Sequence, residues 1–333
     1  MPRKTQNDLS RLTVEQILNG TALGSTQSVG HMEVIPILDG GEASDDTFAP
    51  PNFSAGTHGY GQVSLRNLSA DLPTIAPTGA GWITSQAAQD HATLTAKFLK
   101  AGENKTIDQA VCIQQTQGGL IKQGEDTMMV ILPAALRAQA LAARGGGELG
   151  RLWTPIANFN RSMGISSAGN LVEFLKHYQK ELDEFVAEFE IVPNQIGAIV
   201  LINGQVVGVE RAPNMAFWQK LWTPLIRVCY GSLALKARKV LGNKPSPTRT
   251  RLNVQEKSLA GIAAALKEAR VESSRLVTAA VDNIKATPLL YTGNVEDKML
   301  DAELLTVANT LLAGQIVLRG LKTPYISLCA SGA

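Results

Sequence analysis

Read for spacing alone, the chain alternates between stretches of strand period and stretches of helical period. Leu9, Leu12, Ile17 and Leu18 recur near helical spacing over residues 8–19, and Asn19-Gly20 ends that pattern. Met32-Glu33-Val34-Ile35-Pro36-Ile37-Leu38 predicts a strand, and Pro36, which lacks a donor, predicts that it sits at a sheet edge or ends there. Residues 39–61, rich in Gly, Pro, Ser and Asp, predict a long surface loop with room for a binding role. Short apolar runs between turn residues over 62–130 predict a mostly antiparallel β region.

Helical spacing returns at 133–143 and is stopped by Gly145-Gly146-Gly147. A longer helix is predicted over 170–190. Leu171, Phe174, Leu175, Leu182, Phe185 and Phe189 fall on one face, with Asn170 as N-cap and Glu173 completing a variant capping box. Two β-rich runs flank Asn203-Gly204 and predict a hairpin over 195–210 with a two-residue type I′ turn. Within it, Gly197 and Gly208 mark places where something packs closely over the sheet. Residues 218–241 predict a helix kinked or split at Pro224. Beyond the Pro- and Gly-rich run at 242–248, two amphipathic patterns, 254–284 and 295–318, predict a pair of helices.

These readings give an α+β fold: a largely antiparallel β core with flanking helices (1–242), a linker (243–251) and a C-terminal helical extension (252–333). Two helices without a dedicated partner predict docking on the first domain or self-association with another subunit.

Composition narrows the classes. Of 333 residues, 44% are apolar and 18% charged, enough for a packed core. A net charge of +2 selects neither nucleic acid nor an anionic membrane. Three cysteines cannot build a disulfide framework and predict free thiols in a cytoplasmic setting, with a virion as the alternative. No signal peptide or membrane span is expected from the polar start and the lack of an 18-residue apolar run.

Candidate chemistry concentrates in three places. Gln86, Gln89, Asp90 and His91 could bind a ligand, with Asp90 and His91 as an oriented acid–base pair; a structural polar cluster is the competing reading. Gln114 and Gln117 follow Cys112 and offer amides to a ribose or base edge, while Cys112, with no neighbouring cation, reads as a structural thiol. Glu210 and Arg211 at the end of the hairpin could face a pocket or pair with each other. The scattered His31, His58, His91 and His177 lack metal-ligand spacing. No nucleotide-loop or nucleophile-elbow motif is present, so no metal or cofactor is expected. The basic run over 236–257 has no aromatic residue for base stacking, so a nucleic-acid partner is not expected.

In order, the Met32–Leu38 run, Leu65-Arg66-Asn67, Gly79-Ala80-Gly81, Cys112-Ile113-Gln114, Gly118-Gly119, Leu152-Trp153-Thr154-Pro155-Ile156 and the 195–210 hairpin form a set. With them the chain resembles the ARPP family, a domain of unknown function associated with ADP-ribosylglycohydrolases and rhodanese-like phosphatases. The resemblance covers about Leu12 to Leu235. It implies a setting of ADP-ribose and NAD processing, including phage and bacterial conflict, and hence a protein that binds or hydrolyses such a nucleotide. The alternative is a non-enzymatic assembly protein, as in a phage particle. Family members carry a Cys-x-Glu-x-Gly-Arg-Trp-like stretch, which here reads Cys112, Gln114, Gln117, Gly118, Gly119. The missing acid, arginine and tryptophan imply a binding or structural role in place of acid–base work.

Overall fold

The hairpin around Asn203-Gly204 is the centre of the architecture. In the computed structural model, which describes residues 12–84, 88–144, 150–242, 246–248, 258–291 and 295–331, Gln195–Ile202 and Gln205–Arg211 pair antiparallel. Asn203 and Gly204 have φ of 50° and 78°, as a type I′ turn requires. Every residue of Gln195–Ile202 is buried, so this strand is apolar on both faces and its sequence shows no alternation.

An eleven-stranded antiparallel sheet spreads from this hairpin among the described residues. On one side lie Met32–Asp39 and then the short strands Thr21–Leu23 and Gln27–Val29. On the other, Lys322–Ala330, Leu312–Arg319, Ala302–Ala308, Pro288–Tyr291 and Leu12–Thr13 follow in order, and Asp297–Met299 also pairs with Ala302–Ala308. The strand carrying Pro36 is therefore not at the edge. Pro36 lies opposite the break between the two short strands, where only its carbonyl is needed and accepts from the Gly24 amide at 2.8 Å.

The predicted C-terminal pair of helices is half corrected. The first pattern forms one helix, Leu259–Ala286. The second, 295–318, forms strands inserted beside the hairpin. A strand buried on both faces has no period of two, and Leu304-Leu305 and Ile316-Val317, all buried, imitate a helical spacing by chance.

The large sheet has a helix-covered face on each side. Ile35, Ile37, Ile199, Leu201, Val209, Ile316 and Ile326 pack with Val277, Val281 and Ile284 of the long helix and with Val14 and Ile17 of the short helix Val14–Ile17. The opposite face meets Ala134–Ala142 and the Met215–Leu241 helical segment. Pro224 splits that segment as expected: Pro224–Tyr230 widens to a π-helix between Met215–Thr223 and Gly231–Leu241. The predicted 170–190 helix also breaks, at Tyr178, into Leu171–His177 and Gln179–Glu188.

Residues 53–131 form three small antiparallel sheets, of which Ala110–Cys112, His91–Thr93, Ala80–Thr84 and Thr127–Ile131 make the four-stranded one. The predicted 39–61 loop gives way to a strand at Phe53–Gly59. Buried polar groups fasten these sheets to the C-terminal strands. Gln315 Oε1 accepts from the Ala96 amide at 2.7 Å and from Thr78 Oγ1 at 2.9 Å. Asp297 Oδ2 accepts from the Phe98 amide and from Lys105 Nζ. No described helix is long and apolar enough to cross a membrane.

Candidate functional site

The candidates at residues 89–91 and 112–117 come together; those at 210–211 do not join them. His91 lies directly across from Cys112 on one neighbouring strand and from Trp82 on the other, so the three side chains share a face of the four-stranded sheet. Gln114 follows two residues after Cys112 and bridges to Asn170. The Cys112 thiol donates to the Gln114 carbonyl at 3.2 Å, and the Trp153 indole lies against the same sulfur. Gln86 falls outside the described residues.

A loop-to-loop clasp holds Gln114 in place. The Leu171 amide donates to the Ile113 carbonyl, and the Gly169 amide to Gln115 Oε1. Asn170 occupies the N-cap position, but its side chain does not cap the helix. Instead Oδ1 accepts from the Thr116 amide and Nδ2 donates to Thr116 Oγ1. The capping role read from the sequence is therefore replaced by a bond between loops.

Asp90 and His91 do not form an acid–base pair. His91 Nδ1 sits 2.8 Å from the Gln89 carbonyl, an acceptor, so Nδ1 carries the proton. The ring is fully buried, and burial pushes its pKa down, which keeps it neutral. Its Nε2 is then a lone pair with no hydrogen-bond partner among the described residues. The Asp90 carboxylate is engaged elsewhere: its Oδ1 accepts from the Thr84 amide at 2.8 Å. Burial raises the Asp90 carboxyl to about 7, against the downward pull of that amide and of Lys176.

Two further buried acceptors, Gln89 Oε1 and Gln114 Oε1, are unpaired among the described residues. Gln89 and Gln114 are 7% and 9% exposed, so the cluster is closed but lies just under the surface. The Gln114 amide nitrogen donates to Gln117 Oε1 at 2.6 Å, which fixes its oxygen as the open end. The arrangement thus presents lone pairs and asks for donors.

Glu210 and Arg211 point to opposite faces of the large sheet, so the strand-end ion pair read from the sequence is not formed. Arg211 Nη1 and Nη2 donate to the carbonyls of Ile17 and Ala43. Burial, relieved only in part by Asp39, lowers its pKa to about 10. Glu210 pairs at 2.7 Å with Arg137, which sequence reasoning missed because a lone Arg in an alanine-rich helix gives no signal. Tyr230 and Ser327 each donate to Glu210 at 2.7 Å, and Arg137 also contacts Cys229 and Ser327. This network uses Glu210 and Arg137 internally, and both are 2% exposed.

The glycines singled out in the hairpin explain how the network fits. A Cβ on Gly208 would overlap the Tyr230 hydroxyl, and one on Gly197 would overlap the Glu210 carbonyl. Among the described residues, no group of three or more His, Cys, Asp or Glu is placed to hold a metal.

No curated protein and no solved structure matches the chain. One family does, over residues 20–307, a span that adds to the sequence resemblance the long helix and the strands after it as far as residue 307. On that match the chain belongs to the ARPP-1 family, the ARG and Rhodanese-Phosphatase-superfamily-associated Protein domain.

Proposed function

We propose that the chain binds a nucleotide of the ADP-ribose and NAD class, with a ribose diol seated at Gln89, His91 and Gln114. One observation carries this reading: three buried acceptors, Gln89 Oε1, His91 Nε2 and Gln114 Oε1, have no partner among the described residues. Leaving a buried acceptor unpaired costs about 1–3 kcal/mol each, so such a set is kept where something else supplies donors. Ribose hydroxyls are donors of suitable size, and the family setting supplies the nucleotide. Thermal melting with ADP-ribose and NAD tests it. The midpoint rises with either ligand in the native chain and stays fixed in Gln89→Leu and Gln114→Leu. Hydrolysis would call on Asp90, whose pKa of about 7 suits general acid–base work, and product chromatography of the same mixtures reads it.

A second reading, assembly without chemistry, rests on the long helix. Only Val277, Val281 and Ile284 of Leu259–Ala286 are buried, all in its C-terminal half, while Leu259 is 87% exposed. Lys267, Glu268, Arg270, Glu272 and Arg275 alternate in sign along the exposed turns, a pattern suited to a second copy of the same helix. Truncation at Lys244 would remove central strands of the sheet, so light scattering of Leu259→Asp with Ile262→Asp is the cleaner test. A dimer that becomes a monomer supports assembly; a monomer in both forms ends that reading.

A further inference from the structure

Glu33 is a charged side chain in the row of Met32–Asp39 that faces the long helix, two residues before the apolar Ile35, with Ile37 further along the same row. It is 1% exposed. Thr248 Oγ1 donates to its Oε1, and Ser246 bonds that hydroxyl in turn, but Oε2 has no partner among the described residues. A buried carboxylate is strongly disfavoured without a cation or a full set of donors. No described lysine or arginine forms an ion pair with it.

Glu33 also lines a cleft of about 590 Å³ between the sheet edge and the long helix. Ser28, directly opposite Glu33 on the paired strand, and Thr26 bring hydroxyls to one wall. On the helix side Leu266, Ala269 and Val277 give apolar surface, Ser273 and Ser274 line the same wall, and Arg270 stands there as an exposed cation. The volume falls in the range of small-molecule sites, and a few polar groups on an apolar wall is their usual make-up.

We propose that this cleft is a second binding site, distinct from the His91 cluster, for a small zwitterion bearing an ammonium group and a carboxylate. The ammonium seats against Glu33 Oε2 and the Ser28 and Thr248 hydroxyls. The carboxylate meets Arg270. The apolar surface of Leu266, Ala269 and Val277 takes the carbon chain between them. A diamine would satisfy Glu33 but not Arg270, and a dicarboxylate the reverse.

Isothermal titration with L-lysine, putrescine and succinate tests the proposal on the full chain. L-Lysine binds tightest, putrescine more weakly and succinate not at all. Glu33→Gln, similar in shape, loses roughly tenfold or more in affinity for both amines, as expected for a charge-assisted hydrogen bond. Arg270→Ala, a surface change that leaves folding intact, removes the preference for L-lysine over putrescine. Absence of heat with either amine, or equal binding by Glu33→Gln, overturns the proposal. So does a double-mutant cycle in which Glu33→Gln destabilises the chain only while Arg249 and Arg251 are present, since the cation would then be the protein's own.

Discussion

Arg137 Nη1 lies 2.7 Å from Glu210 Oε1, and neither side chain is more than 2% exposed. Burial works against the charged guanidinium, yet the carboxylate beside it holds the Arg137 pKa well above its ordinary value. The pair joins the helix Ala134–Ala142 to the middle of the sheet, with Tyr230 bonded from the π-helix. Removing one partner leaves a bare buried charge, so Arg137→Met or Glu210→Leu alone should cost about 3–5 kcal/mol of stability. The double variant should recover most of it. Urea unfolding of the three variants reads this, and additive costs would show that the two residues do not act as a pair.

Gly208 yields to Tyr230 in the same network. Gly208→Ala forces a methyl into the space of the phenol and should destabilise by about 1–3 kcal/mol. In a Tyr230→Leu background the added cost should shrink, because the colliding atoms are gone. Thermal unfolding of the four forms of that cycle checks it, and an unchanged cost would place the strain elsewhere.

Much of the fold could be read from the chain because its signals were local. Asn203-Gly204 fixed the central turn, Pro224 the helix break, and Gly208 the close approach of another side chain. What escaped was set by distant partners. Leu304-Leu305 and Ile316-Val317 look helical until both faces of their strands are known to be covered. Glu210 looked like half of an ion pair with Arg211 because sequence neighbours are visible and Arg137, 73 positions away, is not. At the candidate site, the residue types were legible but the pairing was not: His91 takes its orientation from the Gln89 backbone carbonyl, which no sequence pattern announces.

The pH dependence of stability follows from Asp90. Its folded pKa of about 7 lies above the ordinary 3.8, so the folded chain holds a proton that the unfolded chain has released. Stability from this group is therefore full below about pH 4 and is lost as pH rises through 7, by on the order of 2–4 kcal/mol. His91 acts oppositely: its lowered pKa removes stability as pH falls below 6.5. Asp90→Asn isolates the first effect. Its stability relative to the native chain should grow from near zero at pH 4 to its maximum by pH 8, in urea titrations at each pH. A difference that does not vary with pH would refute the raised pKa.

All three cysteines are buried, and burial raises each thiol, Cys229 to about 12. The thiolate is the reactive form, so iodoacetamide at pH 7.5 should label none of them in the folded chain and all three in urea. Mass spectrometry counts the adducts. Rapid native labelling of Cys112 would show that the His91 face is open to solvent.

The central claim is that the His91 Nε2 lone pair receives a donor from a bound nucleotide. With four histidines in the chain, the imidazole nitrogens can be assigned by nitrogen NMR using His→Gln variants. Titration with ADP-ribose should move the His91 Nε2 resonance from the position of a free lone pair toward that of a hydrogen-bonded one, saturably, with Nδ1 still protonated. A His91 signal that stays in place at millimolar ADP-ribose would contradict the account.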